Sequence, residues 1–200
     1  LSVAPEADIE ALSAALGSAG LPAQVVAARL EGARGMALTL VCGDWQDGPL
    51  ARRFELRCER VRDAGLTVGC SGELAFDVAH PLLERHRGPQ GALYVWSKPA
   101  IPEQVLYVAR ERLDERYRPW FRGDALLAGP TDELVAVLSA GRGALAEGPL
   151  AAMHLLAEQL EPLLELTVVG TTRLPETARL LRIGAGWVVC ERVSIEELAA

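Results

Sequence analysis

The residues Arg53-Phe54-Glu55-Leu56-Arg57-Cys58-Glu59 alternate charged and apolar side chains without a break. A period of two belongs to an extended strand. It places Phe54, Leu56 and Cys58 on one face and Arg53, Glu55, Arg57 and Glu59 on the other. A strand with one dry and one wet side belongs in an antiparallel sheet covered on a single face. The pattern therefore excludes an all-helical chain and argues against a parallel, doubly wound sheet. It says nothing of a reaction.

The neighbouring segments extend this picture. Ala23 to Glu31 and Met36 to Cys42 read as strands, with Leu38, Leu40 and Cys42 on one face of the second. Asp44-Trp45-Gln46-Asp47-Gly48-Pro49 is turn chemistry, since Asp, Gly and Pro each interrupt a ladder. Matching the apolar faces of the flanking strands predicts Leu38 opposite Cys58, Leu40 opposite Leu56 and Cys42 opposite Phe54. Leu66 to Cys70 and Glu73 to Phe76 are expected to continue the meander. Asp77 is expected to cap a short helix reaching Arg87, and Ala92 to Ser97 forms a strand with Tyr94 and Trp96 on one side.

A short helix over Glu6 to Leu16 precedes the meander, between Pro5 and Gly17. After Lys98 the period changes. Pro102 suits a first helical position, and Leu106, Ala109, Leu113, Tyr117 and Trp120 form a helical stripe that Pro119 ends or kinks. On its wet face Arg110, Asp114 and Arg118 stand four apart and are expected to pair. Two further helices open at Gly129-Pro130 and Gly148-Pro149. Glu165 to Thr172 reads as a strand, and Gly184-Ala185-Gly186 as the turn of a terminal hairpin. The expected fold is α+β: an antiparallel sheet, built from the N-terminal meander and a C-terminal hairpin, packed on one face by helices from the third quarter. The chain reads as a single domain over 1–200 if the last strand returns to the front sheet. The alternative is a β-rich half over 1–98 and a helical half with its hairpin over 99–200.

Composition bounds the chemistry. Half of the residues are hydrophobic and the formal charge is −7, which gives material for a core and argues against nucleic acid or anionic membranes as main partners. Lys98 is the only lysine among twenty basic residues, a ratio that points to a GC-rich bacterial genome. Cys42, Cys58, Cys70 and Cys190 show no CxxC or CxH spacing, so a reduced, cytoplasmic chain is the simpler reading. No apolar run is long enough to span a bilayer.

Asp77, His80, Glu84 and His86 are the densest cluster of potential ligands, and Asp77, His80 and Glu84 fall within reach of one helix face. Pro81 weakens that case, because a helix begins rather than continues there, leaving His80 as a turn or cap residue. Gly69-Cys70-Ser71-Gly72 is one residue short of a nucleophile elbow, and an alternating segment follows it where a helix belongs. A Cys70 thiolate paired in space with His80 or His86 defines the alternative function, a hydrolase. No motif requires a cofactor. The arginines from 52 to 62 make a locally basic strand, but Glu55 and Glu59 interrupt it, so ion pairing on a wet face explains them better than nucleic acid does. Trp45 at a polar turn is either folded back or an interface anchor. The leading expectation is a protein that works by binding another protein, for which the negative charge suits a basic one, as an accessory subunit or an immunity-type inhibitor. Its expected contact residues are Trp45, Arg53, Glu55, Arg57 and Glu59.

Overall fold

The computed structural model describes residues 10–14, 22–42, 52–118 and 120–198. Trp45, the turn from Asp44 to Pro49 and Pro119 lie outside the described residues. Of the expected first helix, residues 10–14 are described and are helical. The fold is α+β with antiparallel sheets, and the chain divides into two compact units, Leu1–Leu83 with Thr177–Ala200, and Glu84–Glu176.

In the first unit β1 (Ala23–Glu31), β2 (Gly35–Cys42) and β3 (Arg52–Glu59) form the meander. Gly32, at φ +65°, supplies the left-handed residue of the β1–β2 turn. Leu38 faces Leu56 and Leu40 faces Phe54, so the register is two residues from the expected one. Both registers bring the same faces together. They differ in how much chain goes to the turn, which alternation does not encode. The last strand, β12 (Arg192–Leu198), returns to pair with β3, and β5 (Ser71–Gly72) closes the far end of this five-stranded sheet.

A second sheet runs in the order β4 (Asp63–Gly65), β11 (Gly186–Cys190), β10 (Arg179–Ile183), β6 (Leu74–Asp77). The expected terminal hairpin is its centre. Leu38, Leu40, Phe54 and Leu56 from the first sheet share one core with Leu181, Ile183, Val188 and Cys190 from the second. Each such side chain contributes roughly 1.5–3 kcal/mol on burial. Leu66 to Cys70 is not a strand: Gly69, at φ +94°, turns the chain there. Asp77 caps no helix either. It ends β6, where its Oδ2 accepts from Arg182 Nε at 2.6 Å. The helix after it, α1 (Pro81–Glu84), is a single turn that stops short of Arg87.

The second unit is one three-stranded sheet, β8 (Gly143–Pro149), β7 (Gly88–Val95), β9 (Leu166–Leu174), with three helices on one face. Helix α2 (Pro102–Tyr117) starts on its proline as expected and buries Val105, Leu106, Ala109, Leu113 and Tyr117. Asp114 does not join an arginine pair on the wet face. Its Oδ1 accepts from the Gly123 N–H at 2.7 Å and so holds the chain that leaves the helix. Helix α3 (Thr131–Ala140) ends on Gly141 at φ +70°, whose N–H returns to the Val137 and Leu138 carbonyls. Helix α4 (Leu150–Leu160) buries Ala152, Met153, Leu156 and Leu160. Leu93 and Val95 of β7 meet these helices in one core. No helix among the described residues is long and apolar enough to cross a membrane.

Candidate functional site

The outer face of the meander carries the charges that alternation placed there, and they are used against one another. Arg29 and Arg57 flank Ala37 on neighbouring strands. A small residue between them lets both guanidinium groups reach Glu55, at 3.0 Å from Arg29 and 2.7 Å from Arg57. Glu55 is 7 % exposed, the one buried charged residue among those described. The hydrogen bond from Arg57 and the nearby charge of Arg29 hold its carboxyl below the usual range, against the opposing effect of burial. Arg53, Arg57 and Glu59 stay exposed. Arg52 pairs across the sheet with Glu197 at 2.5 Å. The face is thus a lattice of ion pairs, each weak where solvent reaches it.

One such pair sets a pH expectation. Arg62 and Arg60 approach Glu191 at 2.6 and 2.9 Å and hold its carboxyl down at about 2. A folded-state pKa below the unfolded value gives stability that is complete above the ordinary carboxyl pKa of about 4.3 and lost as pH falls. For Glu191 that window runs from there down to about 2. Urea midpoints taken between neutral pH and pH values inside this window are expected to fall less steeply in Glu191→Gln than in wild type. Parallel curves would remove Glu191 from the acid response.

The residues of the enzyme reading are placed as follows. Cys70 is half-buried, with its Sγ against Gly186, and the Cys70 carbonyl accepts from the Val25 N–H at 3.0 Å. His80 caps α1: its Nδ1 accepts from the Leu82 N–H at 3.2 Å, which puts the ring proton on Nε2. Burial first, and then Arg182, lower the His80 pKa, with Asp77 opposing. Glu84 belongs to the second unit. There it receives the Tyr117 O–H at 2.7 Å and Arg116 at 2.6 Å. Tyr117 is fully buried, and burial followed by Glu84 pushes its phenol up beyond the usual range. His86 also lies in the second unit, whereas Cys70, Asp77 and His80 lie in the first. Among the described residues no group of His, Cys, Asp and Glu gathers to hold a metal ion.

The strongest uncommitted surface is the face of the three-stranded sheet turned away from the helices. Leu93 and Val95 point into the helical core, so Tyr94 and the following Trp96 point the other way. Their rings stack with centroids 6.4 Å apart. Trp96 is 58 % exposed and Val169, opposite Ala92, is 43 % exposed. A cleft of about 390 Å³ opens on the same unit. Arg85, Gln90, Tyr94, Glu147 and Thr171 line it around Ala92 and the glycine pair Gly91 and Gly148. Gln90 is engaged in structure, donating to the Glu84 and Arg87 carbonyls at 3.1 Å each. Arg85 lies over the Phe121 ring at 4.6 Å. The sequence carried a signal for this face: Ala92 to Ser97 is apolar on both sides, and one side is aromatic. Such a strand is either covered twice or has a partner to find.

Comparison with protein-family models, with curated proteins and with solved structures finds no match.

Proposed function

We propose that this protein works by binding another protein, as an accessory subunit or an inhibitor, and that the uncovered sheet face of the second unit takes the partner. One observation carries the reading: an exposed tryptophan stacked on a tyrosine, on the face of the sheet opposite its helical core. Aromatic side chains in and just after a strand supply large contact area at low entropic cost and are enriched where binding energy concentrates. The formal charge of −7 favours a basic partner, through faster encounter and through selectivity. The meander face suits this role less well. Detaching Arg57 or Glu55 for a partner first breaks the pairs they already make.

Co-purification from the native cell tests the reading. Trp96→Ala is expected to reduce the recovered partner by about thirtyfold in affinity, the loss typical of a hot spot. Arg53→Glu with Arg57→Glu is expected to retain it, as is Cys70→Ala. Full retention by Trp96→Ala with loss on the arginine reversals would move the contact to the meander. Retention on heparin that weakens steeply with salt would move the reading to nucleic acid.

A further inference from the structure

The three-stranded sheet treats its two edges differently. Beside β8 the ladder is closed: Leu127 bridges Ala146, and the Ala128 N–H donates to the Leu145 carbonyl at 3.1 Å. Beside β9 no strand of the described residues pairs. A single bond fixes which groups are left facing out. The Trp96 N–H donates to the Glu165 carbonyl at 3.0 Å. In an antiparallel ladder the sense alternates, so Thr167 and Val169 also turn their N–H and C=O toward β7. Leu166, Val168 and Gly170 turn theirs outward.

Folded proteins usually blunt such an edge with charge, proline or a bulge. From Leu166 to Thr172 there is neither charge nor proline. A bulge opposite Pro89–Gly91 ends the regular edge just after Gly170. Among the described residues nothing crowds Gly170. A Cβ there would meet nothing within 4 Å, and its φ is not in the left-handed region. Glycine weakens a strand, and on an edge it marks either a bulge, which here begins only after Gly170, or a place where another backbone has room to approach.

We infer that β9 pairs with β9 of a second copy, antiparallel, about a two-fold axis through Val168. This register sets Val168 against Val168 and Leu166 against Gly170. Each outward N–H and C=O of these residues then finds its counterpart. The Leu166 side chain falls beside the glycine that leaves room for it. At the intervening positions Thr167 meets Val169 and Glu165 meets Thr171, so no like charges face each other across the axis. An acidic chain of charge −7 self-associates most readily along an uncharged strip, and this is one. The contact is isologous and closed, and it merges the sheets of the two copies into one.

Sedimentation of the full chain over about a hundredfold range of concentration tests the pairing. Val168→Pro removes an outward N–H that β7 does not use. Val169→Lys, at an exposed position, sets two lysines diagonally across the axis. Wild type is expected to dimerise, and each variant to weaken the dimer by at least about tenfold, with circular dichroism confirming the fold. A wild type that stays monomeric overturns the inference, and so does a dimer that both variants leave unchanged. If Val168→Pro fails to fold, Val169→Lys decides alone. A monomeric wild type whose folded Val168→Pro variant loses a co-purifying partner assigns the edge to a strand of a different protein, which also overturns the second copy. The readout is mass, so a failure of the Trp96→Ala experiment leaves this result standing on its own.

Discussion

Gly184→Ala is expected to destabilise the first unit by about 2–5 kcal/mol, the sum of a left-handed backbone penalty and an overpacking term. Gly184 sits in the β10–β11 turn at φ +56°. A Cβ there would lie 2.2 Å from the Ser71 carbonyl oxygen and 2.9 Å from its carbon. Both are backbone atoms, with no rotamer that moves them aside. The approach is reciprocal, because a Cβ on Gly72 would lie 2.6 Å from Gly184 Cα. The Gly184 N–H also donates to the Glu73 carbonyl at 2.9 Å. This crossing lies where the chain passes from β5 in the first sheet to β6 in the second, so a displacement disturbs both. Gly32→Ala is the control. It shares a positive φ but its Cβ would meet open space, so only the backbone penalty of about 1 kcal/mol applies. Urea midpoints of the two variants measure the difference. Equal shifts would mean that the two backbones do not touch.

Legibility in the sequence followed the range of the forces involved. Alternation over residues 53–59 reported the strand, its faces and the hairpin correctly, because side-chain direction is local. It missed the register by two residues, because a period of two is blind to a shift of two. Strand β8 is not legible: Gly-Ala-Leu-Ala-Glu-Gly-Pro lacks the β-branched residues that mark strands, and its place is set by β7 beside it. The terminal hairpin is legible from its Gly184-Ala185-Gly186 turn, but not that the chain changes sheets at Glu191 and runs on to Leu198. Alternation places Glu55 on the wet face. It is buried because Arg29, two strands away and on the far side of a small alanine, folds over it. The aromatic side of the Tyr94–Trp96 strand was legible as a side. That it is the uncovered one depends on which face three distant helices occupy, and no local pattern carries that.

Gly123→Ala is the second large effect, expected at about 3 kcal/mol and confined by geometry to the other unit. Its Cβ would lie 2.4 Å from Leu113 Cβ, 2.6 Å from the Leu113 carbonyl carbon and 2.7 Å from the Asp114 nitrogen. These atoms belong to the last two turns of α2, where yielding means breaking helix hydrogen bonds around the fully buried Leu113. The Gly123 N–H cannot swing away without losing its bond to the charged acceptor Asp114, worth about 1.5–3 kcal/mol. An unchanged urea midpoint would show that the chain after α2 does not pack this closely. Amide exchange on the same variant answers a further question. Loss of protection at Leu106, Leu134 and Leu156, with Leu38, Leu56 and Leu181 unaffected, is expected if Glu84–Glu176 unfolds by itself. Equal loss in both sets would make all two hundred residues one cooperative unit, as a single domain requires.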